Sequence, residues 1–428
     1  MFTKFAKPPD NKELQDPFAL PTKYWGQRIA PVSEEEKTDL ATWQKSFFEN
    51  KLITERSGDP ARDVLRGLEK VEPALQQLRE ASARPACKFQ GQWLNGGNPG
   101  FWASVRLREA GGIFALRAAA LLALVESGAA YREFRHSFRV YEALATEPSL
   151  FSGLIRGHLL DELCSAVRDG LADGHWADAE LHAIETDFST LNLLEEFKFA
   201  AASERALCNQ SLLQVASIGP DRRSQDYMLF YRPAANAMEK LKSRIFWTLY
   251  PSGWVFQNMV KENEHYDLRL KPYAGGTKAN PLTIIPKSES SMHWTHSLGL
   301  NFSPKQLYYI FLRQTYAFDH QEAEYLARYS MVQQARLACA MERFRHAKGA
   351  FPAELGKLVP EFIPAVPVDV YDGNPLRYRL NADGSYDLWS IGRDRKDDGG
   401  KPDKPDSHRG YVFLPDFVWH TPKGKSPE

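Results

Sequence analysis

The sequence predicts an α+β protein that is mainly α, in which a helical bundle or array is followed by a long helix and a small antiparallel sheet. Two observations lead to this prediction. Between residues 35 and 243, apolar side chains recur at spacings of three and four, the period of a helix with one buried face. After Gly349, short runs of aromatic and β-favouring residues surround an Asp-Gly pair. The chain therefore divides into an extended, Pro-rich arm (1–34), a helical domain (35–243), an irregular connection (244–302) and a domain made of the long helix and the sheet (303–428).

Composition excludes several classes of protein. The 428 residues include 54 basic and 54 acidic side chains, so the chain lacks the net positive charge typical of nucleic-acid binders. The 10 Trp, 17 Tyr and 25 Phe residues supply a core and exclude a disordered chain. The 4 cysteines form no C-x-x-C pair, which argues against a disulfide framework and against a zinc ribbon.

The first elements follow from caps and prolines. Repeated proline before residue 34 favours extended backbone for the arm. Ser33 followed by Glu36 predicts the start of a helix that continues through Trp43 and Phe48. A second helix is predicted over Asp59–Ala83 because its leucines and valines keep the helical spacing.

Consecutive helices are predicted over 101–238, with breaks at Gly128, Pro148 and Gly174. Because the connections between them are short, neighbouring helices should pack antiparallel. Over 244–302 the helical period is lost and aromatic, Gly and Pro residues accumulate, which predicts an irregular connection with short strands.

The C-terminal part begins with a long helix over 303–348, which Gly349 ends. The Asp383-Gly384 pair predicts a β-hairpin. Three strands of an antiparallel sheet are expected, at Leu376–Leu380, Tyr386–Ser390 and Gly410–Leu414.

The loop that follows Ser390 is the strongest candidate for a binding site. Calcium needs six to eight oxygen ligands on a backbone loose enough to wrap the ion. The loop offers glycines together with the carboxylates of Asp394, Asp397, Asp398, Asp403 and Asp406. The alternative is a solvated polar loop, because interleaved basic residues cancel the negative charge: Arg393, Arg395, Lys396, Lys401 and Lys404.

The segments that surround this loop resemble a known family. They are Phe344-Arg-x-x-x-Gly349-x-Phe-Pro352, Leu355-x-x-Leu358-Val-Pro360, Val366-Pro-x-Asp369, Gly373-x-Pro375-Leu-x-Tyr378 and Leu388-x-Ser390-x-Gly392-x-Asp394. In this order they resemble the globular end of the major pseudopilin of type II secretion. The resemblance covers about a fifth of the chain, and it implies a pseudopilin-like fold for this part.

The resemblance also implies a calcium ion and its ligands. Leu388 and Ser390 would offer main-chain carbonyls, Asp394 the first carboxylate, and Asp397 or Asp398 a later one. Two features depart from the family. Gly410 replaces the family's aspartate just before the last strand, and no hydrophobic N-terminal segment precedes the long helix, which argues against filament assembly by the family's usual route.

The upstream part is similar to uncharacterised envelope-type proteins of planctomycete and verrucomicrobial bacteria, which join a helical body to a pseudopilin-like tail. The similarity lies in Arg84-Pro-Ala-Cys87-Lys-Phe89, Leu107-Arg108, Leu116-Arg117-Ala118 and Ser203-Glu204-Arg205-Ala206. This similarity supports the architecture and implies no activity. The leading hypothesis is a non-enzymatic envelope, assembly or binding protein whose helical body presents a surface to a protein partner.

Two other functions stay open. A hydrolase would use Glu204, or His293 and His296, in a cavity of the helical domain. A helical scaffold for a peptide or small ligand would expose an apolar groove.

No membrane span is expected, because Arg117 interrupts the most apolar run. The expected location is the cell envelope or periplasm if a membrane anchor precedes this sequence, and the cytoplasm otherwise.

Overall fold

The computed structural model describes residues 38–84, 87, 100–147, 149–219, 237–273, 315–401 and 416–421. In these ranges the protein is mainly helical, with one small antiparallel sheet near the C-terminus, which confirms the predicted fold class. The arm (1–34) and the predicted helix start at Ser33 lie outside the described residues.

The helices of the described residues are α1 (Leu40–Glu49), α2 (Pro60–Leu68), α3 (Glu72–Ser82), α4 (Gly100–Ala123), α5 (Ser127–Leu144), α6 (Leu150–Asp173), α7 (Asp178–Ser189), α8 (Leu193–Ser217), α9 (Ala237–Leu249), α10 (Ser252–Leu270) and α11 (Thr315–Lys348).

Local sequence explains where the first helices begin. Asp39 caps α1 by accepting from the amide of Thr42. Asp59 caps α2, and Pro60 occupies its first turn, where a missing N–H costs nothing. The single helix predicted over 59–83 is two helices joined by a 3₁₀ turn, because Pro73 cannot donate the backbone hydrogen bond that a continuous helix requires.

Helices α4 to α8 form the described part, up to residue 217, of the series predicted over 101–238, and α4, α5 and α6 pack closely against one another. Ser149 caps α6 at its start, and Gly174 ends it in the left-handed conformation (φ +66°). The break predicted at Gly128 is displaced, because the turn lies at 124–126 and Gly128 is already inside α5.

The stretch predicted to be an irregular connection (244–302) is helical in its first part. Helices α9 and α10 cover it up to Leu270, with a short 3₁₀ turn after α10, and 274–302 lies outside the described residues. The aromatic residues that obscured the period pack into a small second core, made of Leu212, Val215, Trp247, Tyr250 and Val255. Local clustering of large rings therefore supports helices that a simple apolar stripe does not reveal.

Helix α11 is the central element of the molecule. It packs against α6, α7 and α8 on the helical side and against the sheet on the other, and every residue from 321 to 342 is buried or half-buried. One continuous core runs from Trp43 to Trp419, so the described parts of 35–243 and 303–428 share their interior. Gly349 ends α11 with φ +85°, as predicted.

The sheet consists of β1 (Arg377–Leu380), β2 (Tyr386–Ser390) and β3 (Phe417–His420), in the order β1-β2-β3. The hairpin predicted at Asp383-Gly384 is confirmed, with Leu380 opposite Tyr386. The third strand of the described sheet lies downstream of its expected place at 410–414, which is outside the described residues. This strand, Phe417–His420, pairs antiparallel with β2 and places Trp419 opposite Leu388.

Candidate functional site

The candidate calcium loop leaves the sheet at Ser390, and the buried carboxylate of Asp369 fixes its first residues. Asp369 accepts from the Ser390 hydroxyl and from the Ile391 amide, both at 2.9 Å. Arg377 donates to the same carboxylate at 2.9 Å. Burial nevertheless raises the pKa of Asp369, against these hydrogen bonds. The start of the loop is therefore held by a satisfied polar network.

The main-chain carbonyl of Leu388, one of the predicted calcium ligands, accepts a hydrogen bond from helix α11. Gln334 of α11 donates from Nε2 to the Leu388 carbonyl at 3.3 Å and to the Phe417 carbonyl at 2.6 Å. The Ser390 side chain is fully buried and committed to Asp369. Leu388 and Ser390 thus have clear structural roles in joining the sheet to its surroundings.

Two aspartates of the loop, Asp394 and Asp397, accept hydrogen bonds from different parts of the chain. Asp394 is exposed, and its carboxylate accepts from the Lys396 amide at 3.0 Å, which closes a local turn. Asp397 accepts from the Trp389 indole at 2.9 Å and from the Gly399 amide at 3.0 Å. The indole contact folds the second half of the loop back onto the sheet.

Asp416, immediately before β3, is the buried carboxylate of this region. Only 2% of its surface is exposed. Its Oδ2 accepts from the Gly400 amide at 2.9 Å, whereas Oδ1 has no hydrogen-bond partner among the described residues. Burial, together with the negative charges of Asp397 and Asp398, raises the pKa of Asp416 to about 6, against the hydrogen bond from the Gly400 amide.

The structure therefore brings Asp397 and Asp398 towards Asp416, a residue that the sequence prediction did not include. Among the described residues, no group of three or more Asp, Glu, His or Cys side chains has the geometry to hold a metal ion. Asp403 and Asp406 lie outside the described residues. The free oxygen of Asp416 and the negative charge around it fit a cation, and further ligands would have to come from outside the described group.

Asp416 was missed because the sequence prediction placed a strand at 410–414, which lies outside the described residues, and none at 417–420. With the strand at 410–414, the family's aspartate aligned with Gly410. The alternating segment Phe417-Val-Trp-His420, preceded by Pro415-Asp416, carried the signal for both the strand and its aspartate.

The hydrolase hypothesis named Glu204 on α8. Its carboxylate accepts from the Leu150 amide at the start of α6 (3.3 Å), and burial raises its pKa. The adjacent Arg205 turns to α10, where it donates to Asn263 at 2.5 Å and to Asp267 at 2.6 Å. His293 and His296 lie outside the described residues.

An apolar surface lies on the second half of the helical body. On α9 three large side chains at four-residue spacing are more than half exposed, and Leu249 reaches 74%. Because residues four apart share one helix face, they form a stripe. The exposed set on α9 and α10 comprises Leu241, Ile245, Leu249, Trp254, Phe256, Val260 and Leu268.

Comparison with protein-family models, with curated proteins and with solved structures gives no significant match for this chain. A search of the described helices for a stretch long and apolar enough to cross a bilayer gives none.

Proposed function

We propose that the protein is a non-enzymatic envelope, assembly or binding protein whose pseudopilin-like C-terminal part is stabilised by calcium. The observation that supports the proposal is the buried carboxylate of Asp416, with one oxygen free of hydrogen bonds beside two further aspartates. A buried, ionised carboxylate beside two exposed aspartates is unfavourable unless positive charge joins them. Calcium at extracellular concentrations suits such a loop, which supports an envelope location.

In this proposal each part of the chain has a defined task. Bound calcium supplies positive charge and an oxygen-coordinating centre. Asp416, with Asp397 or Asp398, would hold it, and Asp394 stays a candidate ligand from the pseudopilin resemblance. Trp389 orients Asp397 through its indole N–H. Gly400 (φ +68°) lets the loop cross the Trp389 ring, where a Cβ would come within 2.9 Å of a ring atom. The result would be a loop pinned against β2 and β3.

Thermal unfolding with calcium and with chelator tests this proposal. An ion at about 100 times its dissociation constant stabilises a protein by about 2.7 kcal/mol, so the Tm of a chain of this length should rise by roughly 3 °C. The rise should be larger at about pH 7.5 than at about pH 5, because protons compete for Asp416.

Asp416→Asn should remove the calcium-dependent rise, whereas Glu361→Gln, an exposed charge of the same region, should keep it. An equal Tm with calcium and with chelator, or an unchanged response in the Asp416 variant, would contradict the calcium proposal.

The apolar stripe on α9 supports a second candidate function, a scaffold that binds an apolar segment of a protein partner. Replacing Ile245 and Leu249 by Asp should abolish capture of such a partner without lowering the Tm, since both side chains are exposed. Leu380→Asp, at an exposed apolar position of β1, is the matched control. Equal capture by the stripe variant and the control would exclude this surface.

A further inference from the structure

Glu262, on the buried side of α10, is an ionisable group that lacks hydrogen bonds among the described residues. Only 2% of its surface is exposed, and neither carboxylate oxygen has a hydrogen-bond partner among the described residues. Most buried polar groups in proteins are hydrogen-bonded, so an exception of this kind requires an explanation.

The groups around Glu262 are also acidic or neutral. From α8, Glu204 and Cys208 face it; from its own helix, Tyr266 joins the cluster one turn later. The amide of Leu150 at the start of α6 is already used by Glu204. Burial and the nearby carboxylates raise the pKa of the Cys208 thiol and of the Tyr266 hydroxyl. The cation next to Glu204 on α8, Arg205, is paired with Asn263 and Asp267, and Glu262 has no ion pair among the described residues.

A metal ion is not the explanation that the geometry supports, because the described Glu and Cys side chains form no group able to hold one. The alternative is a proton. A protonated carboxyl group is neutral and can be buried at far lower cost than an ionised one. Burial raises the pKa of Glu262 to about 7, and the carboxylate of Glu204 contributes in the same direction.

Glu262 occupies a boundary between two cores. Towards the start of α10, Val255 belongs to the small core shared with α8 and α9. Towards its end, Tyr266 belongs to the main core, and Arg269 approaches Glu322 of α11 at 3.7 Å. The first half of α10 is therefore attached to the molecule through α8 and the small core, which gives it a smaller interface to lose.

We propose that a proton on Glu262 latches α10 to α8, and that loss of this proton loosens α10 together with α9. This is a pH-sensitive device in the helical body, separate from the calcium loop. Ionisation places a second negative charge opposite Glu204 inside the interface, and the repulsion is relieved when the first half of α10 moves away and admits water.

The direction of the pH effect follows from linkage. The pKa of Glu262 is about 7 in the folded protein and 4.5 for the unperturbed group. The folded state therefore binds more protons between these values, and the latch weakens as the pH rises through this window. Below the window the latch has its full strength, and above it no further change is expected from this group. Glu204, whose pKa is also raised, acts with the same sign.

Hydrogen exchange of the α10 amides, corrected for intrinsic rates, measures the latch. From about pH 5.5 to about pH 8, protection of residues 252–266 should fall by at least about tenfold, which corresponds to one unit of pKa shift. Protection of α4 and α5 should not change. Glu262→Gln keeps the shape and cannot ionise, so its protection should fall with pH much less than that of the wild type, and only through Glu204. Glu264→Gln removes an exposed charge of the same helix and should behave as wild type.

A second measurement keeps the proposal testable if the Gln variant does not fold. Infrared difference spectra of the Asp416→Asn variant, which lacks the other carboxyl group with a pKa of about 6, should still show the carbonyl band of a protonated carboxylic acid near pH 6, where exposed Glu side chains are ionised. Glu204→Gln should reduce the loss of α10 protection at alkaline pH, because it removes the negative charge that adds to burial in raising the pKa of Glu262. Level protection in the wild type, or an unchanged pH response in Glu262→Gln, overturns the latch.

Discussion

The interfaces that α11 and α10 make with the helical body both bury carboxylates, but they differ in what faces them. On α11, Arg328 forms a two-pronged ion pair with Asp161 of α6 at 2.9 and 3.1 Å and also contacts Glu324. On α10, Glu262 faces Glu204 of α8. The same bundle therefore contains two kinds of interface. At α11 each buried carboxylate faces a cation, whereas at α10 two carboxylates face each other, and their repulsion depends on pH.

The ion pairs of the α11 interface affect the pKa of the Asp161 carboxylate. Although burial opposes it, Arg328 keeps the pKa of Asp161 below its usual value. Arg336 forms a further ion pair with Glu185 of α7, at 2.7 Å. Because the lowered pKa keeps Asp161 ionised over the whole neutral range, the ion pair between Asp161 and Arg328 should not respond to pH near neutrality.

The largest expected effect comes from making the α11 interface resemble the α10 interface. Arg328→Met keeps the length of the side chain but leaves Asp161 and Glu324 without their cation. Removing one partner of a buried ion pair costs about 3–5 kcal/mol, so the free energy of unfolding in urea should fall by that amount. Arg62→Ala breaks an exposed pair with Asp59 and should cost less than about 1 kcal/mol. Equal losses in the two variants would contradict the comparison.

The next effect tests how closely α6 and α11 approach. A Cβ on Gly157 would lie 2.5 Å from the guanidinium carbon of Arg328. Gly157→Ala should therefore destabilise the protein by about 1–3 kcal/mol, despite the better helix propensity of Ala. Gly253→Ala, where a Cβ would meet no atom within 4 Å, is the control in urea unfolding. A stabilising Gly157→Ala would show that the two helices are farther apart.

The third effect concerns the mismatched interface at alkaline pH. At about pH 8 Glu262→Gln removes a buried charge, and the free energy of unfolding should rise by about 1–2 kcal/mol. At about pH 4 both side chains are neutral, and the two proteins should unfold at similar urea concentrations. A lower stability of the variant at pH 8 would mean that the ionised carboxylate has a partner.

The smallest loss of stability is expected around Asp369, because its carboxylate accepts hydrogen bonds from several donors. Ser390→Ala removes one of several hydrogen bonds to Asp369, whose oxygens also accept from Tyr371, Ile391 and Arg377. The loss should be about 1 kcal/mol in urea unfolding, with the sheet intact. A loss above about 3 kcal/mol would show that this hydroxyl organises the loop by itself.

Sequence patterns predicted the elements whose signals are local. Gly349 ends α11 and Asp383-Gly384 turns the hairpin, because left-handed backbone at glycine is readable from one or two residues. The strand at 417–420 and α10 were not predicted, since their identity depends on rings packed from elsewhere in the chain.

The burial of Glu262 and Asp416 could not be predicted from the sequence either. Glu262 lies in Lys261-Glu-Asn-Glu-His265, a run that is typical of a solvated helix face. Only its packing against α8 distinguishes it from the exposed Glu264. Asp416 was hidden for a different reason, because its significance depends on where β3 begins. The loop carboxylates Asp394, Asp397 and Asp398 were placed correctly after β2, and calcium binding there stays a prediction.

The central position of α11 has a consequence for cutting the molecule apart. Because its faces are covered by α6, α7, α8 and the sheet, a fragment that begins near residue 303 would leave a wide stripe of α11 bare. Each half of the chain would lack the surface that completes the other. Such halves suit fragment complementation: expressed separately and mixed, they would recover a folded protein only as a pair, in the manner of a split reporter.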